Sequence, residues 1–135
     1  MATLFSRAKE RVVRLRLRNE PGATSKLRRA VDRVARASGL AADATFDLKL
    51  AATEALTNAV KGAPEDHVVD VAIEGGHSAV DVEVTNSGRF RPEFGVESSS
   101  KQSAGAAFLS LALVDEVEFA SVRGRTRVRL RRVSA

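Results

Sequence analysis

At 135 residues and 14.4 kDa the chain has room for one domain, spanning 1–135, but not for two full cores. Its 44% hydrophobic and 29% charged residues are a globular composition, and the absence of cysteine excludes a disulfide framework, a thiolate zinc site and a cysteine nucleophile. His67 and His77 are its only imidazoles, too few for a histidine-rich metal centre, and no apolar run nears the roughly 20 residues that cross a bilayer. A cytoplasmic protein with no membrane partner is the expectation.

The formal net charge is +5, but it is unevenly spread. Residues 1–39 carry +8, residues 40–117 carry −8 and residues 118–135 carry +5. Basic ends around an acidic middle fit either a nucleic-acid binder or charged strands that pair with one another, so the pattern has to be placed on structure.

Val12 to Arg18 alternates, with Val13, Leu15 and Leu17 on one face of a strand and Arg14, Arg16 and Arg18 on the other. Pro21-Gly22 punctuates, and Thr24 or Ser25 can cap a helix whose apolar stripe is Leu27, Ala30, Val31, Val34 and Ala37. Gly39 stops it. Asp43 is the expected cap of a second helix that runs towards Lys61 and ends at Gly62 and Pro64.

Two further alternating runs follow. Val69, Val71 and Ile73 face one way with Asp70 and Glu74 opposite, and Val80, Val82 and Val84 oppose Asp81 and Glu83. Gly75-Gly76 between them offers the positive-φ positions of a hairpin turn. Thr85 to Ser103 reads as loop, and Gly105 to Val114 as a buried helix. Glu116 to Val122 and Arg125 to Arg132 form a closing hairpin that turns near Arg123-Gly124.

The order β-α-α-β-β-loop-α-β-β gives an α+β, two-layer sandwich: a mostly antiparallel five-stranded sheet with three helices on one face. The arginines of the first strand, with Arg125, Arg127, Arg129 and Arg131, then share the open face with Asp70, Glu74, Asp81 and Glu83. Attraction between neighbouring strands places the first strand beside the second and the last beside the third. With no Trp or Tyr for stacking and no recognition motif, direct nucleic-acid binding is the less favoured use of these charges.

The chemistry-bearing stretch is Asp47 to Ala63, D-L-K-L-A-A-T-E-A-L-T-N-A-V-K-G-A. Leu48, Ala52, Ala55, Leu56 and Ala59 form its packing face. Glu54 and Asn58 lie four apart on one side, roughly in line with Asp47 and Lys61. A carboxylate there can take a proton from an attacking hydroxyl, and an amide oxygen is a hard ligand suited to Mg²⁺. The plainer reading is a solvated polar stripe.

E-A-L-T-N-A-V resembles the N-box of the GHKL superfamily of gyrase, chaperone, histidine-kinase and mismatch-repair ATPases. The longer D-L-K-L-A-A-T-E-A-L-T-N-A-V is similar to the anti-sigma-factor serine/threonine kinases. L-V-D-E-V-E-F at Leu113 to Phe119 and R-T-R-V-R-L at Arg125 to Leu130 match that family's later stretches. The family's D-x-G-x-G loop appears here as V-T-N-S-G-R-F-R-P-E, with Asn86 in place of the aspartate and Gly88 as the first glycine. Its G-x-G-L box is reduced to S-A-G-A-A at Ser103 to Ala107.

The resemblance implies a histidine-kinase-like ATPase fold and a regulator that binds a sigma factor. With ATP and Mg²⁺ as cofactors it would phosphorylate an anti-anti-sigma partner on serine. Glu54 would be the general base and Asn58 the metal ligand, while Asn58, Asn86, Gly88, Gly105 and Thr126 would bind nucleotide. The altered glycine boxes keep a second reading open, a partner-switch binding module that no longer uses ATP. His77 reads as a turn residue, His67 as an ordinary strand start, and Ser98 to Ser100 as a flexible lid or, less simply, an autophosphorylation target. The resemblance also implies a homodimer, since members of that family commonly act as dimers, and the adjacent Val12 and Val13, only one of which can face the core, with an open edge strand, place its interface at the first strand.

Overall fold

The computed structural model describes residues 11–61, 67–86, 112–122 and 125–134. They form β1 (Val12–Arg18), α1 (Ala23–Ser38), α2 (Ala42–Val60), β2 (Val68–Gly75), β3 (Ala79–Asn86), β4 (Glu116–Val122) and β5 (Arg125–Val133). The α+β sandwich is as expected, with one difference of count: two helices stand among the described residues. Of the expected third helix, Ala112 and Leu113 are helical and Val114 is buried; the rest lies outside the described residues.

Every strand pairing is antiparallel and the sheet order is β1-β2-β3-β5-β4, so β1 lies beside β2 and β5 beside β3 as the charges required. Register sets Arg16 opposite Asp70, with Nε to Oδ1 at 3.1 Å. Arg131 lies between Asp81 and Glu116, at 3.2 and 3.5 Å. Arg129 sits between Glu83 and Glu118 and also reaches Asp81 at 3.5 Å. Exposed pairs of this kind contribute about 0–1 kcal/mol each, so they select strand order more than they hold the fold.

The other face of the sheet carries the core. Val69, Val71, Ile73, Val80, Val82, Val84 and Leu130 are buried against Leu27, Val31 and Val34 of α1 and Leu48 of α2. Burying such side chains contributes about 1.5–3 kcal/mol apiece, far more than the surface pairs. Alanines 44, 51, 52, 55 and 59 give α2 a flat inner face that lies on β3 and β5.

Three local details differ from expectation. Helix α1 starts at Ala23 with Gly22 as N-cap at φ 92°, a left-handed conformation that glycine adopts without strain, so neither Thr24 nor Ser25 caps it. Helix α2 is capped at Ala41, and Asp43 sits inside its first turn, where its Oδ1 accepts from the Ala44 N–H at 2.9 Å and its charge favours the helix N-terminus. In the β2–β3 turn the left-handed residue is Ser78 at φ 56°, not Gly75 or Gly76. The stop at Gly39 is as expected: φ is 73°, and the Leu40 N–H returns to the Ala35 carbonyl at 3.0 Å. The expected stops Gly62 and Pro64 and the turn at Arg123-Gly124 lie outside the described residues.

Gly75 serves packing instead. A Cβ there would fall 1.8 Å from Ser38 Oγ and 2.9 Å from Val34 Cγ1, so its bare Cα lets α1 rest on β2. Gly75→Ala should lower stability by about 1–3 kcal/mol in urea denaturation. Adding Ser38→Ala, which removes the nearest atom, should recover part of the loss.

Candidate functional site

Glu54 and Asn58 occupy one side of α2, both half-buried. The sequence places them there because Ala51, Ala55 and Ala59 turn inward and leave the neighbouring stripe of the helix at the margin of the core. Asp47, in line with them, is taken by structure: Arg132 Nη2 reaches its Oδ2 at 3.2 Å. Lys61, the C-cap residue, is exposed.

That ion pair also fixes the direction of α2. Asp47 lies near the start of the helix and Arg132 near the end of β5, and the Ala41 N–H that opens the helix donates to Ser134 Oγ at 3.1 Å. From Asp47 to Asn58 the helix advances about 16 Å. From Arg132 back to Thr126 the strand covers about 20 Å. Glu54 and Asn58 are thereby carried towards the end of the sheet where β5 begins and β3 finishes.

Asn86 and Thr126 lie at that end. Continuing the register one step beyond the Thr85–Arg127 pair sets them side by side, on the same face as Val84 and Val128 and therefore towards the helices. Asn86 is 2% exposed and Thr126 is half-buried. Asn86 and Thr126 thus stand at one end of the helix-side face, the end towards which the direction of α2 carries Glu54 and Asn58. Gly88, Gly105 and the serines 98–100 lie outside the described residues.

Two features carry the chemistry. Glu54 Oε2 is shielded from water and has no hydrogen-bond partner among the described residues, and burial raises the carboxyl above its ordinary value. A carboxylate without a partner is costly unless something else is meant to meet it. Asn86 Oδ1 stands 3.0 Å from His67 Nε2, an imidazole at the entry to β2. From its sequence position alone His67 is an ordinary strand start. The signal that could have found it is the register, which sets Val69 opposite Asn86 and so brings the start of β2 to the buried amide. His77 is exposed in the β2–β3 turn.

The orphaned Glu54 oxygen and the adjacent amide of Asn58 are a donor set suited to a hard cation with phosphate oxygens and a proton to be removed. Among the described residues no group of three or more His, Cys, Asp or Glu forms a metal cluster, so a cation here would take most of its ligands from phosphate and water. No described helix is long and apolar enough to cross a membrane.

Because burial penalises the charged form, folded Glu54 keeps its proton to a higher pH than the unfolded chain does. The penalty is absent below the ordinary glutamate range and grows as pH rises through and above it. Glu54→Gln, which carries no charge, should therefore exceed wild type in stability at neutral pH, with the advantage gone below about pH 4. Urea midpoints across that range measure it; a difference independent of pH would remove desolvation as the cause.

Comparison with known proteins agrees with the fold. Residues 17–132 match the family model described as the histidine kinase-like ATPase domain. The crystal structure of the RsbU and RsbW domains of Rv1364c from Mycobacterium tuberculosis is similar with a TM-score of 0.64 and 22% identity, over 92% of this chain and 33% of that one. The chain thus spans about a third of that protein's length. A chain of the SiaB-SiaC complex from Pseudomonas aeruginosa is similar with a TM-score of 0.62 and 15% identity, over 98% and 96% of the two chains. No curated protein matches the sequence.

Proposed function

The chain belongs to the histidine kinase-like ATPase domain family, and on that footing we propose that it is a partner-switching regulator: it binds a sigma factor and, with ATP and Mg²⁺, phosphorylates a small anti-anti-sigma protein on serine. The observation that carries this reading is the unpartnered, desolvated Oε2 of Glu54 one helical turn from Asn58. Glu54 takes the proton of the attacking serine hydroxyl, and its raised pKa makes it a stronger base than an exposed carboxylate. Asn58 offers its amide oxygen to the metal. Asn86 and Thr126, with Gly88 and Gly105, line the nucleotide site. Bound ATP supplies the phosphoryl group. An RsbW domain in one structural neighbour and a two-protein complex in the other support a partner-binding role.

A second reading rests on a different observation. Asn86 replaces an acidic residue and its Oδ1 is already engaged by His67, so less of its hydrogen-bonding capacity is left for a base. A binding module that kept the fold and dropped the chemistry fits that arrangement. Calorimetric titration of the chain with Mg·ATP separates the two: micromolar binding supports the kinase, and silence at millimolar ATP supports the module. With a partner of the anti-anti-sigma class and labelled ATP, Glu54→Ala should abolish transfer while leaving partner binding intact. Unchanged transfer removes Glu54 from the mechanism.

In this reading the whole chain acts as one cytoplasmic domain, without membrane or direct nucleic-acid contact, and associates with itself through the β1 region. Val12 is 42% exposed on the open face, while Leu17 is buried and Val13 and Leu15 are partly buried against the core. Val12→Asp should weaken self-association in sedimentation equilibrium and leave the circular dichroism spectrum unchanged. A wild-type mass of one 14.4 kDa chain at tens of micromolar ends the self-association reading.

A further inference from the structure

The side chain of Asn86 is almost fully buried, and its Oδ1 lies 3.0 Å from Nε2 of His67. A carboxamide oxygen accepts and cannot donate, so at this contact the imidazole carries a proton on Nε2 and donates it. The sheet makes the contact. Val69 lies opposite Asn86, and His67, two residues earlier in the alternation, reaches the amide on the diagonal. His67 is itself half-buried, which holds the donor in place.

A carboxylate at position 86 would accept hydrogen bonds whichever way it turned. An amide differs: its oxygen and nitrogen are alike in shape and opposite in character, and a half-turn about χ2 exchanges them. An unconstrained Asn86 could therefore read either purine. With one orientation its oxygen meets the exocyclic amino group of adenine and its nitrogen the bare ring nitrogen beside it. After the half-turn its nitrogen meets the exocyclic carbonyl of guanine and its oxygen the ring N–H. The half-turn would also set the amide N–H groups against the Nε2–H of His67. We propose that His67 is a positioning residue that locks the Asn86 amide and so makes the site choose adenine over guanine nucleotides. This rests on the reading of Asn86 as part of the ATP site and adds the residue that fixes the choice of base. One lone pair of Oδ1 takes the His67 N–H; the other is left for the amino group of adenine, and the amide nitrogen for its ring. His67 acts through Asn86 and not on the nucleotide itself.

The test is a double-mutant cycle on the full chain, read as the ratio of the Mg·GTP to the Mg·ATP dissociation constant by calorimetry. Circular dichroism checks the fold of each variant. Wild type should bind ATP at least about tenfold more tightly than GTP. His67→Phe keeps a flat ring without the donor and should bring the two nucleotides to within about twofold of each other; His67→Ala takes its place if the larger ring does not fold. His67→Gln returns an N–H donor and should recover part of the preference. Asn86→Asp has nothing to lock, so adding His67→Phe to it should leave its ratio unchanged, whereas a His67 that served packing alone would shift both backgrounds alike. In nitrogen NMR of the free protein, His67 Nε2 should have the signature of a protonated nitrogen. Equal binding of both nucleotides by wild type, a ratio indifferent to folded His67→Phe, or a bare Nε2 overturns the lock and leaves the ATP reading standing. Binding of neither nucleotide at millimolar concentration overturns both.

Discussion

Arg132 reaches from the helix-side face of β5 to Asp47 on α2 at 3.2 Å and to Asp115, just before β4, at 3.4 Å. Among the described residues its buried Nε has no partner, so the guanidinium is only partly compensated and removing either carboxylate would leave charge stranded at the edge of the core. Such an arrangement is a poor source of net stability and a good source of geometry. The flat alanine face of α2 would tolerate sliding along the valines beneath it, because small apolar side chains interlock weakly. The ion pair removes that freedom, and with it the uncertainty about which end of the sheet Glu54 and Asn58 overlook.

Two kinds of force therefore divide the labour. Apolar burial on the helix side supplies the stability, and charge on the open face chooses among strand orders that burial alone would leave nearly equal. Basic β5 lies between acidic β3 and acidic β4, and basic β1 lies beside acidic β2. The exception is instructive: β2 and β3 are both acidic, and Glu74 faces Asp81 directly. The two strands are joined by a short turn, so their pairing is dictated by connection and survives the repulsion, while Asp81 recovers its cost from Arg129 and Arg131.

The strands, both described helices and the strand order were legible because each rests on periodicity or on charge that a single sequence displays. Helix caps were less so: Gly22 and Ala41 cap through backbone conformation, and the Ala41 N–H finds its partner in Ser134, far along the chain. The glycines of the β2–β3 turn misled because Gly75 answers to the helix above it rather than to the turn. Of the candidate site, Glu54 and Asn58 were readable from helical spacing. The bond between His67 and Asn86 was not, since it depends on the strand register that sets Val69 opposite Asn86.

Ser78 ties together parts of the chain that are distant in sequence. Its N–H donates to the Ser38 carbonyl at the end of α1, its own carbonyl accepts from the Ser134 N–H, and Ser134 Oγ in turn accepts from the N–H of Ala41, the N-cap of α2. On a ribosome these contacts close in reverse order of their importance to the site. Helix α1 and the β2–β3 hairpin emerge early, yet α2 has neither its Ser134 acceptor nor its Arg132 anchor until β5 has been made. The helix that carries Glu54 is therefore among the first elements synthesised and the last to be locked. During that interval α2 is held only by its alanine-rich face and by its contacts with α1, the Lys49–Asp32 ion pair at 3.1 Å and the Arg28–Thr53 hydrogen bond at 3.3 Å, so its position along the sheet is set last.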